Sequence, residues 1–154
     1  MVEANKDEQE IRFARKLASP DVKKRRAAIA GLQSWVKARS ASAPKGVIEE
    51  LELRKLWRGL FFCMWLADKA PVQAELAGKI AELVHCFNTP QGVRSWLLIC
   101  GRTMRNEWGR LDKYRVDKYY VLLRSVVREV CFPADLFFSF FACATAPVGC
   151  HLLS

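Results

Sequence analysis

The run LWRGLFFCMWLADKAP, residues 56–71, gathers two tryptophans, two phenylalanines, a cysteine and a methionine into one short stretch. Such a density of large apolar side chains suits a ligand-binding box, a membrane span or the interior of a fold, and the neighbouring residues decide among these. Glu49, Glu50, Glu52, Arg54, Lys55 and Arg58 charge the first half of the segment, whereas a span needs about 20 predominantly apolar residues. A membrane crossing is therefore excluded. Leu53, Leu56, Trp57, Leu60, Phe61, Met64 and Trp65 recur at the spacing of one helix face, which predicts a helix over Glu49 to Ala67. Its second half, Gly59 to Ala67, is apolar all round, as suits a helix covered on more than one side. The aromatic stripe is read as core. Trp57 and Trp65 fall on nearly the same face, and both are expected to be buried between helices.

Helix punctuation continues along the chain. Ser19-Pro20 and Thr89-Pro90 each put a capping residue before a proline at the first helical position, and Pro71 opens a further helix in the same way. Val22, Ile29, Leu32, Trp35 and Val36 follow the first start; Val72, Leu76, Ile80, Leu83, Val84 and Phe87 follow Pro71. Two more helices are expected, from Pro90 to about Trp108 and from about Asp112 to Val130, the latter carrying Val116, Tyr119, Tyr120, Leu123, Val126, Val127 and Val130. Short connections make sequential helices pack antiparallel. The fold class expected is all-α, a stack of five to six helices.

A chain of 154 residues with 51% hydrophobic and 27% charged residues suits one domain with a real core. Its six cysteines, at 63, 86, 100, 131, 143 and 150, form no CxxC or CxxH pair; they are read as reduced, and no metal site is expected. There is no Gly-rich phosphate loop and no cofactor motif. MVEANKDEQE has neither the h-region of a secretory signal nor the Arg/Ser bias of a transit peptide, so a cytosolic or nuclear protein is expected. His85 and His151 are the only histidines, and His85 sits between Val84 and Cys86 without a nucleophile's partner in view. Glu107, Asp112 and Asp117 each lie beside basic residues, the pattern of a solvated helix face. No catalytic residue, cofactor or small-molecule substrate is expected.

Charge is concentrated. Residues 12–39 hold nine basic residues against one acid, and residues 102–130 hold eight against four. Lys23, Lys24, Arg25 and Arg26 are consecutive near a helix start, so they fan around the helix and at least two must face solvent. Cations there oppose the helix dipole, which points to a use other than helix stability: contact with RNA phosphates, alongside the plainer readings of a solvated face or a nuclear import signal. Arg105, Arg110, Lys113, Arg115 and Lys118 form a second candidate surface. Aromatics do not interleave with these cations as in a base-stacking platform, so the contact expected is electrostatic and indifferent to sequence.

Trp57 to Trp65 (Trp-basic-Gly-Leu-Phe-aromatic-Cys-Met-Trp), Asp68-Lys69, Glu107-Trp108 and Asp117-Lys118-Tyr119-Tyr120 ending at Arg124 recur in order and spacing across about residues 10–130. Together they closely resemble the nucleolar ribosomal RNA processing protein 1 family. The resemblance implies an all-helical repeat domain of α-solenoid-like, HEAT/armadillo type. It also implies a nuclear, nucleolar protein that joins large-subunit preribosomes and serves pre-rRNA maturation without catalysis. Its partners would be large-subunit assembly factors and, through phosphates, pre-rRNA, with no membrane. Trp57, Gly59, Phe61, Cys63, Trp65, Trp108, Asp117 and Tyr120 carry the family pattern and are taken as its core. The alternative is a helical-repeat adaptor working in the cytosol or at a membrane.

The ending CFPADLFFSFFACATAPVGCHLLS departs from the family, which continues with amphipathic helices and a lysine-rich tail. Residues 131–154 contain one charge, Asp135, and no 3.6-residue pattern; they read as translated non-homologous sequence, such as a retained intron or a shifted frame gives. Pro133, Asp135, Pro147 and Gly149 keep the apolar run well short of the about 20 residues of a span. The organisation expected is a helical-repeat domain over 1–130, truncated relative to the family, followed by an apolar tail that packs poorly on it.

Overall fold

A computed structural model of the protein describes residue 12, residues 15–17 and residues 19–131. Residue 12 and residues 15–17 are helical, and from residue 22 onward five α-helices follow among the described residues: α1 (Val22–Ser42), α2 (Glu50–Trp65), α3 (Ala70–Ala81), α4 (Pro90–Glu107) and α5 (Val116–Cys131). Three short 3₁₀ turns, Pro44–Gly46, Glu82–Cys86 and Trp108–Arg110, extend or join them. No strand occurs among the described residues, and the fold is all-α. None of the described helices is long and apolar enough to cross a membrane.

Side-chain caps set the starts of α1 and α4, whereas α2 and α3 begin without one. Thr89 Oγ1 accepts from the Gly92 N–H at 3.1 Å, with Pro90 in the first turn of α4, and Pro71 lies in the first turn of α3. The start of α1 falls two residues later than Ser19-Pro20 indicates. Asp21 is its N-cap, accepting from the Lys23 N–H at 2.9 Å, because a carboxylate at this position also offsets the four cations that follow. The start of α5 is likewise later than Asp112. The Asp112 carboxylate takes the N–H groups of Tyr114 and Arg115, both at 3.0 Å, and holds a turn before the helix begins.

The helices form two layers. In one, α2 and α4 run in the same direction: Thr89 donates to the Gly46 carbonyl at 3.3 Å near their starts, and the Trp57 indole N–H donates to the Trp96 carbonyl at 3.1 Å further along. In the other, α1, α3 and α5 are aligned. Arg26 of α1 pairs with Glu75 of α3, and His85, just beyond the end of α3, lies 2.9 Å from Glu129 in the last turn of α5. Each helix pair, α2 with α3 and α4 with α5, thus repeats the same antiparallel step. Two glycines let the α1–α2 connection lie against the start of α4. Gly46 adopts φ +67°, and a Cβ there would sit 2.4 Å from Thr89 Cγ2; a Cβ on Gly92 would sit 2.7 Å from the Gly46 carbonyl oxygen.

The core is continuous between the layers. Trp57, Phe61, Leu60, Met64, Leu32, Ile80, Trp96 and Tyr119 are fully buried. Trp57 and Trp96 have ring centroids 4.6 Å apart, and Phe61 stacks on Tyr119 at 4.5 Å. Gly59 and Cys63 are buried as well. The other four residues that carry the family pattern are less covered, among them Trp65, expected to be buried. Trp65 and Trp108 are half-buried, and Asp117 and Tyr120 are exposed, Tyr120 by 46%. On α5 it is Tyr119 that faces α2, its hydroxyl donating to the Phe61 carbonyl at 2.9 Å; one residue on, the helix has turned by about 100° and Tyr120 points outward against Trp108. The apolar tail that follows α5 in the sequence lies outside the described residues.

Candidate functional site

The four consecutive cations of α1 separate into two groups. Lys23, Lys24 and Arg26 are exposed. Arg25 is 3% exposed, and its guanidinium donates to the carbonyls of Ser19 and Pro20, both at 2.8 Å. It ties the chain preceding α1 to the helix, so its charge is turned away from any RNA. Arg26 is engaged with Glu75. Lys23 and Lys24 are the open cations of this cluster.

The second expected surface divides in the same way. Lys118 is 4% exposed, and its ammonium donates to the Trp65 carbonyl at 2.6 Å and to the Ala67 carbonyl at 2.9 Å. These are carbonyls at the C-terminal end of α2, where a cation also meets the negative end of the helix dipole. Burial lowers the Lys118 pKa from its ordinary 10.5, while Asp68 works to restore it. Lys118 therefore docks α5 onto α2 and leaves the candidate RNA surface. Arg115 lies 4.3 Å over the Trp65 ring and pairs with Asp112, which explains how a half-exposed tryptophan is covered. Arg110 pairs with Glu107 at 3.1 Å, and Lys113 sits 4.9 Å over the exposed Tyr114 ring. Arg105 is exposed, with no ion-pair partner among the described residues.

The interior thiols of the described residues are held protonated, the weakly nucleophilic form. Burial pushes the thiols of Cys63 and Cys100 up to about 12 and raises that of Cys86 as well. His85 faces Glu129 at the edge of the stack. Among the described residues no group of His, Cys, Asp and Glu is placed to hold a metal ion.

One basic feature escaped the sequence reading. Arg54 and Arg58 of α2 and Arg102 and Arg105 of α4 line a single groove. The local signals were present, an Arg pair at i,i+4 and another at i,i+3. That the two pairs meet depends on α2 and α4 lying side by side, which no local spacing encodes.

Comparison with known proteins adds a further observation. A family profile described as "Nucleolar protein, Nop52" matches residues 8–132. The chain is similar to ribosomal RNA processing protein 1 homolog A of Mus musculus, 41% identical over 120 residues that make up 78% of this chain and 24% of that protein. It is also similar to homolog B of Homo sapiens, at 39% identity over 78% of this chain and 16% of the relative. A homolog of Drosophila melanogaster is 38% identical over 78% of this chain and 17% of its own length. The chain thus spans about a quarter or less of each of these relatives.

Proposed function

The chain belongs to the Nop52 family of nucleolar proteins, and on that premise we propose that it serves ribosomal RNA processing in the nucleolus. It acts as a docking scaffold in precursors of the large ribosomal subunit rather than as an enzyme. The observation that carries this reading is that the family match, residues 8–132, takes in the whole of the described helical stack from α1 to α5. Relatives bearing the name ribosomal RNA processing protein 1 support the process. A two-layer helical stack offers extended outer faces for protein partners, here other large-subunit assembly factors. The exposed cations Lys23, Lys24 and Arg105 supply sequence-tolerant attraction to rRNA phosphates. Residues 1–130 are the unit that docks, and the apolar tail contributes nothing to that docking.

The test is placement in the cell. The full chain carrying a fluorescent tag is expected to concentrate in nucleoli and to sediment with large-subunit precursors. Diffuse cytosolic or membrane-bound signal, with sedimentation at the top of the gradient, would overturn the proposal.

A further inference from the structure

We infer that the groove between α2 and α4, lined by Arg54, Arg58, Arg102 and Arg105, is a site for the phosphodiester backbone of single-stranded RNA. The inference deepens the reading above and rests on it for the identity of the nucleic acid as rRNA.

The geometry comes from two parallel neighbours. Arg54 and Arg58, one turn apart on α2, face Arg102 and Arg105 on α4 across a groove of about 530 Å³, with Thr103 and Asn106 adding neutral hydrogen-bonding groups. Glu50 accepts from both Arg54 and Arg102, the latter at 2.8 Å, and so fixes two of the guanidinium groups in place. Arg58 and Arg105 have no ion-pair partner among the described residues, and both are exposed. Four arginines face Glu50 beside the groove and Glu107 in its lining, and Arg110 is bonded to Glu107. Five cations against two carboxylates leave +3.

Charge alone does not choose between RNA and an acidic protein, but the lining does. Every lining residue is polar and the arginines Arg58 and Arg105 are exposed, whereas the Trp, Tyr and Arg anchors that hold protein partners sit in well-packed, desolvated pockets. No aromatic side chain lines the groove on which a base could stack. What the groove presents is a set of guanidinium forks, which match the paired oxygens of a phosphate. It would follow a backbone and read no bases.

The experiment uses the full chain and a uniform unstructured RNA such as oligouridylate, titrated at several salt concentrations. Arg58→Glu with Arg105→Glu is compared with a charge-matched control on exposed lysines away from both basic surfaces, Lys37→Glu with Lys69→Glu, and circular dichroism is taken on every sample. The groove variant is expected to weaken binding by more than the control. Its slope of log affinity against log salt should be shallower by about 1.4, two contacts at roughly 0.7 each for single strands. Arg58→Lys with Arg105→Lys, which keeps charge and loses the forks, should bind between the wild type and the reversal. If the reversal fails to fold, Arg58→Gln with Arg105→Gln takes its place and should still flatten the slope. An unchanged slope, or equal losses in groove variant and control, would overturn the inference. So would polyglutamate binding as tightly as the RNA and with the same dependence on Arg58 and Arg105, since that assigns the groove to a protein. Because the titration contains no ribosomal particle, loss of RNA binding in the groove variant beside a wild-type chain that stays out of nucleoli would sink the cellular role and leave the site standing.

Discussion

Trp57 and Trp65 lie two turns apart on one face of α2, yet they are covered by opposite kinds of matter. Trp57 is fully buried, its ring against Trp96 and its indole N–H on a backbone carbonyl. Trp65, at the end of the helix, is half-buried beneath the Arg115 guanidinium, beside the carbonyls that Lys118 holds. The first region is stabilised by burying apolar area and the second by cations seated on a ring and on a helix end. Apolar periodicity tells which face a residue occupies; it does not tell what will cover that face.

The largest effect expected is at the first tryptophan. Trp57→Ala should cost about 3–5 kcal/mol, the range for removing a large aromatic from a core, and Trp65→Ala should cost less. Denaturant unfolding of both variants measures the gap, and equal losses would break the comparison. Next is the cation that docks α5. Lys118→Met should cost about 1–3 kcal/mol, the penalty for leaving buried carbonyls without a donor. A variant as stable as the wild type would show that apolar packing alone holds the α2–α5 corner.

The interior also sets a pH response. Cys63 and Cys100 are held up to about 12 by burial, against an ordinary 9.0. Between those values the unfolded chain releases thiol protons that the folded chain keeps, so stability is intact below about pH 9 and falls above it. The slope contributed is about 1.4 kcal/mol per pH unit for each thiol. Tyr119, whose pKa burial also raises, adds to the loss above its ordinary 10.0, while Lys118, lowered from 10.5, acts with the opposite sign. Thermal unfolding from pH 8 to 11 should show the decline, and Cys100→Ala should make it shallower; an identical decline in that variant would remove the thiol from the account. The smallest effect is at the surface, where Lys23→Glu with Lys24→Glu should change stability by less than about 0.5 kcal/mol, as a melting curve will show. A larger loss would mean these lysines support α1 as Arg25 does.

Helix identity was legible in the sequence where a cap marked the start, as at Thr89-Pro90, and where the apolar period was sustained, as across Leu53 to Met64. Boundaries slipped where two capping side chains compete, Ser19 with Asp21, or where an Asp holds a turn ahead of a helix, as Asp112 does. Within the candidate site, Lys23, Lys24 and Arg105 could be read as exposed cations, since a run of charges must in part face water. Arg25 and Lys118 could not be told from them. Each is buried because backbone carbonyls from another segment happen to lie within reach, and carbonyl positions leave no trace in residue type. The groove of α2 and α4 was hidden for the same reason, being made of two helices that meet only in three dimensions.

The alignment of every second helix governs how the chain finds this structure. The bonds that join one helix pair to the next connect residues 39 apart at Trp57–Trp96, 43 at Gly46–Thr89, 44 at His85–Glu129 and 58 at Phe61–Tyr119. Each closes a loop of about one repeat, and among the described residues no hydrogen bond between helices closes one much longer. Closure entropy therefore stays nearly constant from step to step, and no distant pairing must wait for the whole chain.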